Sequence, residues 1–172
     1  KPVIAAIEGH ACAGGLGVAL YCDIRIVDET ASFGVFSRRW GVPMSDGTTV
    51  RLPRVIGQGR AMDMLLTGRK VDAHEAERIG LVSRVLPDAK VVEHAIEVAE
   101  QMCQLSAFGL QMTKKVCWAN LETGSLAAAI DLEDRNQLLL GNTENLVECI
   151  KARREKRKPV YTDRPRQDLH RD

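Results

Sequence analysis

Residues 9–20, GHACAGGLGVAL, place glycines at positions 9, 14, 15 and 17 between two apolar runs. Ahead of them, Val3 to Ile7 is a short β-branched run bounded by Pro2 and Gly9, the pattern of a buried strand. After them the apolar residues continue to Cys22 without alternation, which favours a buried helix over a second strand. A glycine pair at a strand-to-helix junction permits backbone angles closed to other residues and lets another group approach the main chain. The first-turn N–H groups of such a helix lack internal partners and carry the positive end of its dipole. The junction is therefore either a tight connection and nothing more, or a seat for a phosphate or a polarised carbonyl oxygen. Its spacing fits neither GxGxxG nor the phosphate loop with its Lys-Ser/Thr, which argues against a nucleotide phosphate.

Ile24 to Val27 returns to β-branched residues and is predicted as a strand. Residues 29–47 mix turn formers with Arg38, Arg39, Trp40 and Asp46 and read as a functional loop. Helices are predicted over 47–56 and 58–67, each stopped by a glycine, Gly57 and Gly68. Asp72 and Glu75 form a capping box for a helix ending near Gly80. Leu81 to Leu86 is a strand halted by Pro87. This alternation predicts an α/β layer over residues 1–87. Beyond it, Val91, Val92, Ala95, Ile96, Ala99 and Met102 recur at helical spacing. Further helices are expected at 107–120, 125–140 and 143–157, making 88–160 an all-helical region. Residues 161–172 are expected to be a loose basic tail.

The totals exclude several classes. A net charge of +1 over 172 residues gives no support for nucleic acid or a membrane surface as partner. No apolar run approaches the ~18 residues of a transmembrane helix. Lys1-Pro2-Val3 reads as mid-protein sequence entering a strand, with no secretory signal. Five cysteines, an odd number without a CxxC pair, read as buried reduced thiols of a cytoplasmic protein. Four dispersed histidines and those cysteines show no metal-ligand spacing.

The run KPVIAAIEGHACAGGLGVALYCDIRIVDETASFG resembles the crotonase family, the enoyl-CoA hydratase/isomerase superfamily, whose pattern reads KPVIAAV-G-A-GGG-ELA-CD- and then A-FG-PE-LG--P--GGT-RL. The likeness continues through Gly41, Pro43, Gly47-Thr48, Arg51-Leu52-Pro53, Ile56-Gly57, Leu66-Thr67-Gly68, Glu75-Ala76 and Gly80-Leu81-Val82, and ends in Glu155-Lys156-Arg157-Lys158-Pro159. It implies a crotonase-like (ClpP/crotonase) spiral core of ββα units, here without its N-terminal part, followed by a helical oligomerisation region. It implies an acyl-CoA substrate, coenzyme A entering as part of that substrate with no separate cofactor, and a homotrimer or dimer of trimers. It also implies that the Gly14 N–H, with Gly15 beside it, helps hold a thioester oxygen while an enolate forms, a second donor lying on an earlier turn outside this sequence.

One departure bears on the chemistry. The two glutamates with which hydratases of this family handle water fall on Gly17 and Ser37. Glycine carries no proton, and a serine hydroxyl is a poor base without a partner. Double-bond isomerisation or another enolate reaction through a single acid fits better than hydration. Asp46 is the candidate acid or base, or else an N-cap for the helix after it. Ser37 is a candidate helper. Arg38 and Arg39 are either solvated surface or a charged lid pairing Asp46 or a substrate carboxylate. Trp40 is either packing or a stacking surface, and His10 is either structural or a proton donor. The alternative function is a non-catalytic acyl-CoA binder or trimeric scaffold.

Overall fold

The computed structural model describes residues 1–87 and 90–166. Its α/β part is built on two small sheets. β1 (Ile4–Ile7), β3 (Ile24–Asp28) and β6 (Arg84–Leu86) pair in parallel in the order β1-β3-β6. β2 (His10–Cys12) pairs in parallel with β4 (Ser32–Gly34), and β5 (Val71–Asp72) closes that sheet antiparallel. Parallel neighbours need a crossover. Between the parallel neighbours β1 and β3 it runs through β2 and α1 (Gly14–Tyr21), so the chain returns from the second sheet to the first through the glycine junction.

Strands β2, β4 and β5 are not expected from the sequence. They are two or three residues long, too short for periodicity to register, and their partners lie far away, Phe33 opposite Val71. They split the expected 29–47 loop, which holds β4, a 3-10 turn at Phe36–Trp40 and an irregular run to Gly47. The predicted helices appear as α2 (Thr48–Ile56), α3 (Gln58–Thr67), α4 (Ala73–Arg78), α5 (Val91–Cys103), α6 (Ala107–Asn120), α7 (Leu126–Gly141) and α8 (Glu144–Glu155). Gly57 and Gly68 end α2 and α3 with φ of 84° and 61°. Asp72 caps α4 by accepting the Glu75 N–H at 2.8 Å.

Leu16, Leu20, Val27, Phe33, Leu52, Met64, Val71 and Leu81 form the main core, all essentially inaccessible to water. Arg25 crosses it: its Nε donates to the Leu81 carbonyl at 2.7 Å and its Nη1 to Cys22 at 2.6 Å. Burial lowers its pKa from the usual arginine value.

The chain divides into two compact units, residues 3–99 and residues 1–2 with 100–172. The division falls inside α5, later than the change of texture at 87, because Val91 and Ala95 pack on Ile26 in a second apolar cluster of the α/β unit. In the other unit the tail expected to be loose is tied down as far as it is described. Thr143 bridges Pro165, the Arg166 N–H donates to the Asn142 carbonyl at 2.9 Å, and the Asp163 carboxylate accepts from Ser106 Oγ at 2.7 Å and Asn145 Nδ2 at 2.6 Å. Positions 167–172 of that expected tail lie outside the described residues. All five cysteines are free, as expected, but not buried: Cys103, Cys117 and Cys149 are exposed and Cys12 and Cys22 half-buried, since the first three lie on outward faces of α5, α6 and α8.

Candidate active site at the glycine junction

β2 delivers the chain to Ala13, whose backbone sits at φ 49° and ψ −120° and whose N–H is held by the Gly34 carbonyl of β4 at 2.9 Å. The helix begins abruptly there. Gly17 N–H makes the first intrahelical bond, to the Ala13 carbonyl at 3.2 Å, and no side chain caps the turn. Gly14 and Gly15 are both exposed, and a Cβ on Gly15 would meet nothing within 4 Å. The junction is neither plugged by an apolar side chain nor sunk in the core.

One carboxylate faces it. A Cβ built on Gly14 would lie 3.5 Å from Asp46 Oδ2, and one built on Gly17 would lie 2.9 Å from Asp46 Cβ. Asp46 comes from the loop before α2 and holds a left-handed backbone, φ 56°. Ser45 Oγ donates to its Oδ2 at 3.2 Å. The carboxylate is exposed, and the cap of α2 is Gly47, without a side-chain cap bond, so Asp46 is not the N-cap that the sequence left open. An uncapped first turn beside an accessible carboxylate can hold a carbonyl oxygen at its amides while the carboxylate exchanges protons next to it.

The other candidates are not gathered around Asp46. Ser37, half-buried in the 3-10 turn, turns its hydroxyl toward the Met44 sulfur at 3.8 Å. Arg39 donates through Nε and Nη2 to the Gly68 carbonyl at 3.1 and 2.9 Å and lies over the Phe36 ring at 4.4 Å. It anchors the 3-10 turn to the end of α3. Arg38 is exposed, and neither arginine forms an ion pair with Asp46. Trp40 is 83% exposed, so it is not packing within its unit. His10, exposed on β2, shares a 2.7 Å hydrogen bond between its Nδ1 and Ser32 Oγ. Among the described residues no cluster of His, Cys, Asp or Glu could hold a metal ion.

Three contributors are given no site role by the sequence. Thr48 is fully buried, its Oγ1 without a hydrogen-bond partner and 3.1 Å from where a Cβ on Gly17 would stand. Tyr21, one turn after Gly17 on α1, puts its hydroxyl 3.1 Å from the corresponding point on Gly47. Arg51 of α2 covers the Tyr21 ring at 3.9 Å. These contacts bring residues some thirty positions apart together, which no local pattern encodes.

Comparison with known proteins agrees with this architecture. The family model described as Enoyl-CoA hydratase/isomerase matches residues 1–164. A probable enoyl-CoA hydratase, EchA12, of Mycobacterium tuberculosis is 42% identical over 165 residues, 95% of this chain and 58% of its own length. A probable mitochondrial enoyl-CoA hydratase 2 of Arabidopsis thaliana is 39% identical over 94% of this chain and 53% of its own. A crystal structure of a probable enoyl-CoA hydratase/isomerase from Mycobacterium abscessus superposes with a TM-score of 0.91 at 41% identity, covering 95% of this chain and 64% of that one. The chain belongs to the enoyl-CoA hydratase/isomerase family, with the crotonase-like fold, and spans less than two thirds of the length of each of these relatives.

Proposed function

We propose that the protein acts on acyl-CoA thioesters through an enolate and moves a double bond in preference to adding water across it. The single observation that carries this reading is the pairing of the open Gly14–Gly15 turn with the Asp46 carboxylate, at a junction where neither Gly17 nor Ser37 can supply another. In this reading the Gly14 N–H and the α1 dipole hold the thioester oxygen. Asp46 takes a proton from C2 of a 3-enoyl thioester, and the C–H electrons flow into a dienolate with its charge on that oxygen. The carbonyl then re-forms as C4 takes the proton back from Asp46. The product is the 2-enoyl thioester, and Asp46 ends as the carboxylate it began as.

Arg38 and Trp40, both exposed in the 3-10 turn, are assigned to the coenzyme A portion of the substrate. Arg39 and Ser37 are assigned to holding the 3-10 turn, and His10 to the strand leading into Gly14. Coenzyme A enters only with the substrate, and no separate cofactor is proposed. A homotrimer or dimer of trimers is supported by α7, which buries none of its residues in one chain and leaves Leu126, Leu138 and Leu139 exposed. Five free cysteines support the cytoplasm as compartment. Among the described residues no helix is long and apolar enough to cross a membrane.

The test is turnover of 3-enoyl-CoA and 2-enoyl-CoA by the protein and by its Asp46→Asn variant. The reading requires isomerisation to exceed hydration and the variant to lose about 10²-fold or more in kcat, the usual contribution of one acid–base group. Unchanged turnover in the variant removes Asp46 from the chemistry. The absence of both hydratase glutamates favours one other reading, a non-catalytic acyl-CoA binder or scaffold. Calorimetric binding of acyl-CoA without turnover on a broad thioester panel would select it.

A further inference from the structure

We propose that Gly17 is the positioning residue for Asp46: the missing side chain on α1 is the notch in which the Asp46 loop rests, so that Gly17 and the Asp46 carboxylate are one interlocked feature. This rests on the assignment of Asp46 as the proton-handling group and states what holds it there.

A Cβ at position 17 would stand 2.9 Å from Asp46 Cβ, 3.1 Å from Thr48 Oγ1 and 3.3 Å from the Asp46 carbonyl oxygen. Two of these atoms belong to the backbone or to its first side-chain carbon, and neither can swing away as the tip of a long side chain can. The loop is seated on this face by its own backbone. Asp46 and Gly47 hold successive left-handed conformations, φ 56° and 70°, which fold the chain down onto α1. Tyr21 stands one helical turn beyond Gly17 on the same face, its hydroxyl 3.1 Å from the Cβ position of Gly47 and its ring covered by Arg51 at 3.9 Å. The face of α1 thus offers a notch at 17 and a post at 21, and residues 46–47 lie across both. By contrast, a Cβ at Gly59, in the first turn of α3, meets nothing within 4 Å.

The consequence is mutual exclusion. Any side chain at 17, a carboxylate included, displaces the loop that brings Asp46 to the Gly14 turn. The site therefore accommodates a carboxylate from the loop or from the helix but not from both.

A double-mutant cycle on the expressed protein tests this, with thermal unfolding and steady-state kinetics as separate readouts. Gly17→Ala should lower the unfolding midpoint by roughly 4 °C or more, whereas Gly59→Ala, an alanine in an unhindered helix, should hold or raise it. In an Asp46→Gly background, where the left-handed backbone is retained and the 2.9 Å contact is gone, at least half of the Gly17→Ala loss should disappear. With Asp46 present, Gly17→Ala should cut kcat about tenfold or more and leave KM for the thioester within about twofold, since the Gly14 amides stay open. Equal midpoint losses in both backgrounds, or a Gly17→Ala protein as stable as the parent, overturn the interlock. A fall in KM affinity matching the fall in kcat also overturns it, because a displaced proton carrier should not weaken binding. Should Asp46→Asn leave turnover intact while the stability cycle still shows coupling, the catalytic reading fails and the packing relation stands. Should Asp46→Asn abolish turnover while the cycle shows none, the reverse holds.

Discussion

Two aspartates share an unusual backbone and little else. Asp46 and Asp163 are both left-handed, φ 56° and 55°, a conformation uncommon outside glycine and most often taken by Asp and Asn. Asp163 is surrounded by donors: Ser106 Oγ at 2.7 Å, Asn145 Nδ2 at 2.6 Å and the Phe108 N–H at 3.2 Å. Burial alone would raise its pKa, but those hydrogen bonds together hold it below the usual aspartate value. Asp46 is exposed and takes one hydroxyl, from Ser45 at 3.2 Å. A carboxylate whose lone pairs are all engaged fastens a structure. One that stands nearly free beside an uncapped helix turn is available for proton transfer. The same left-handed conformation thus serves a clamp in one unit and, in the function proposed above, a proton-handling group in the other.

The same edit at both positions is the strongest way to break this contrast. Asparagine tolerates the left-handed region, so it removes charge with little backbone cost. Asp46→Asn should reduce kcat about 10²-fold or more while leaving stability within about 0.5 kcal/mol. Asp163→Asn should do the opposite, costing about 2 kcal/mol in denaturant unfolding by replacing a charged acceptor among three donors, with kcat per folded molecule unchanged. If both variants lose stability and keep activity, the contrast is gone.

Acid sharpens it further. Asp163 and Glu75 both have lowered pKa values, Glu75 through its hydrogen bonds with Arg69 at 2.9 and 2.8 Å. A carboxylate with a depressed folded pKa contributes stability fully above its unfolded value of about 4, and that contribution is lost as pH falls through the folded value. The unfolding midpoint should therefore be level above about pH 5 and decline below about pH 4. The decline should be shallower in Asp163→Asn than in the parent. A slope identical in the two proteins would remove Asp163 from the clamp.

Much of this was visible along the chain, and what was not has a physical reason. The α4 cap was legible because Asp72 and Glu75 lie three residues apart and bond locally. Gly57 and Gly68 marked helix ends because a positive φ is itself a local property. The strand at Ser32–Gly34 was invisible because three residues carry no period and its partner Val71 is nearly forty positions on. The site was half legible. Gly14 and Gly15 announced the turn, but the setting of Asp46 against Gly17 and Thr48 arises only when α1 and the loop before α2 meet. Residues 161–166 are tied down, against the expectation of a loose tail, for a related reason: the segment is polar and carries no period, while its order depends on Asp163 reaching back to Ser106 and Asn145.

The smallest expected effects come from the two serines that donate to these aspartates, and they separate the two environments by the same single-atom deletion. Ser106 is the N-cap of α6, accepting the Gly109 N–H at 2.9 Å while donating to Asp163 and accepting from Asn145 at 3.0 Å. Ser106→Ala removes a cap and leaves a half-satisfied cluster, so it should cost about 1 kcal/mol or somewhat more. Ser45→Ala removes one exposed 3.2 Å bond whose partner can turn to water, and should change stability by less than about 0.5 kcal/mol. Chemical denaturation of the two variants side by side measures the difference directly. Equal losses would mean that the Ser45 contact helps hold Asp46 in place, and that the loop rests on more than the notch at Gly17.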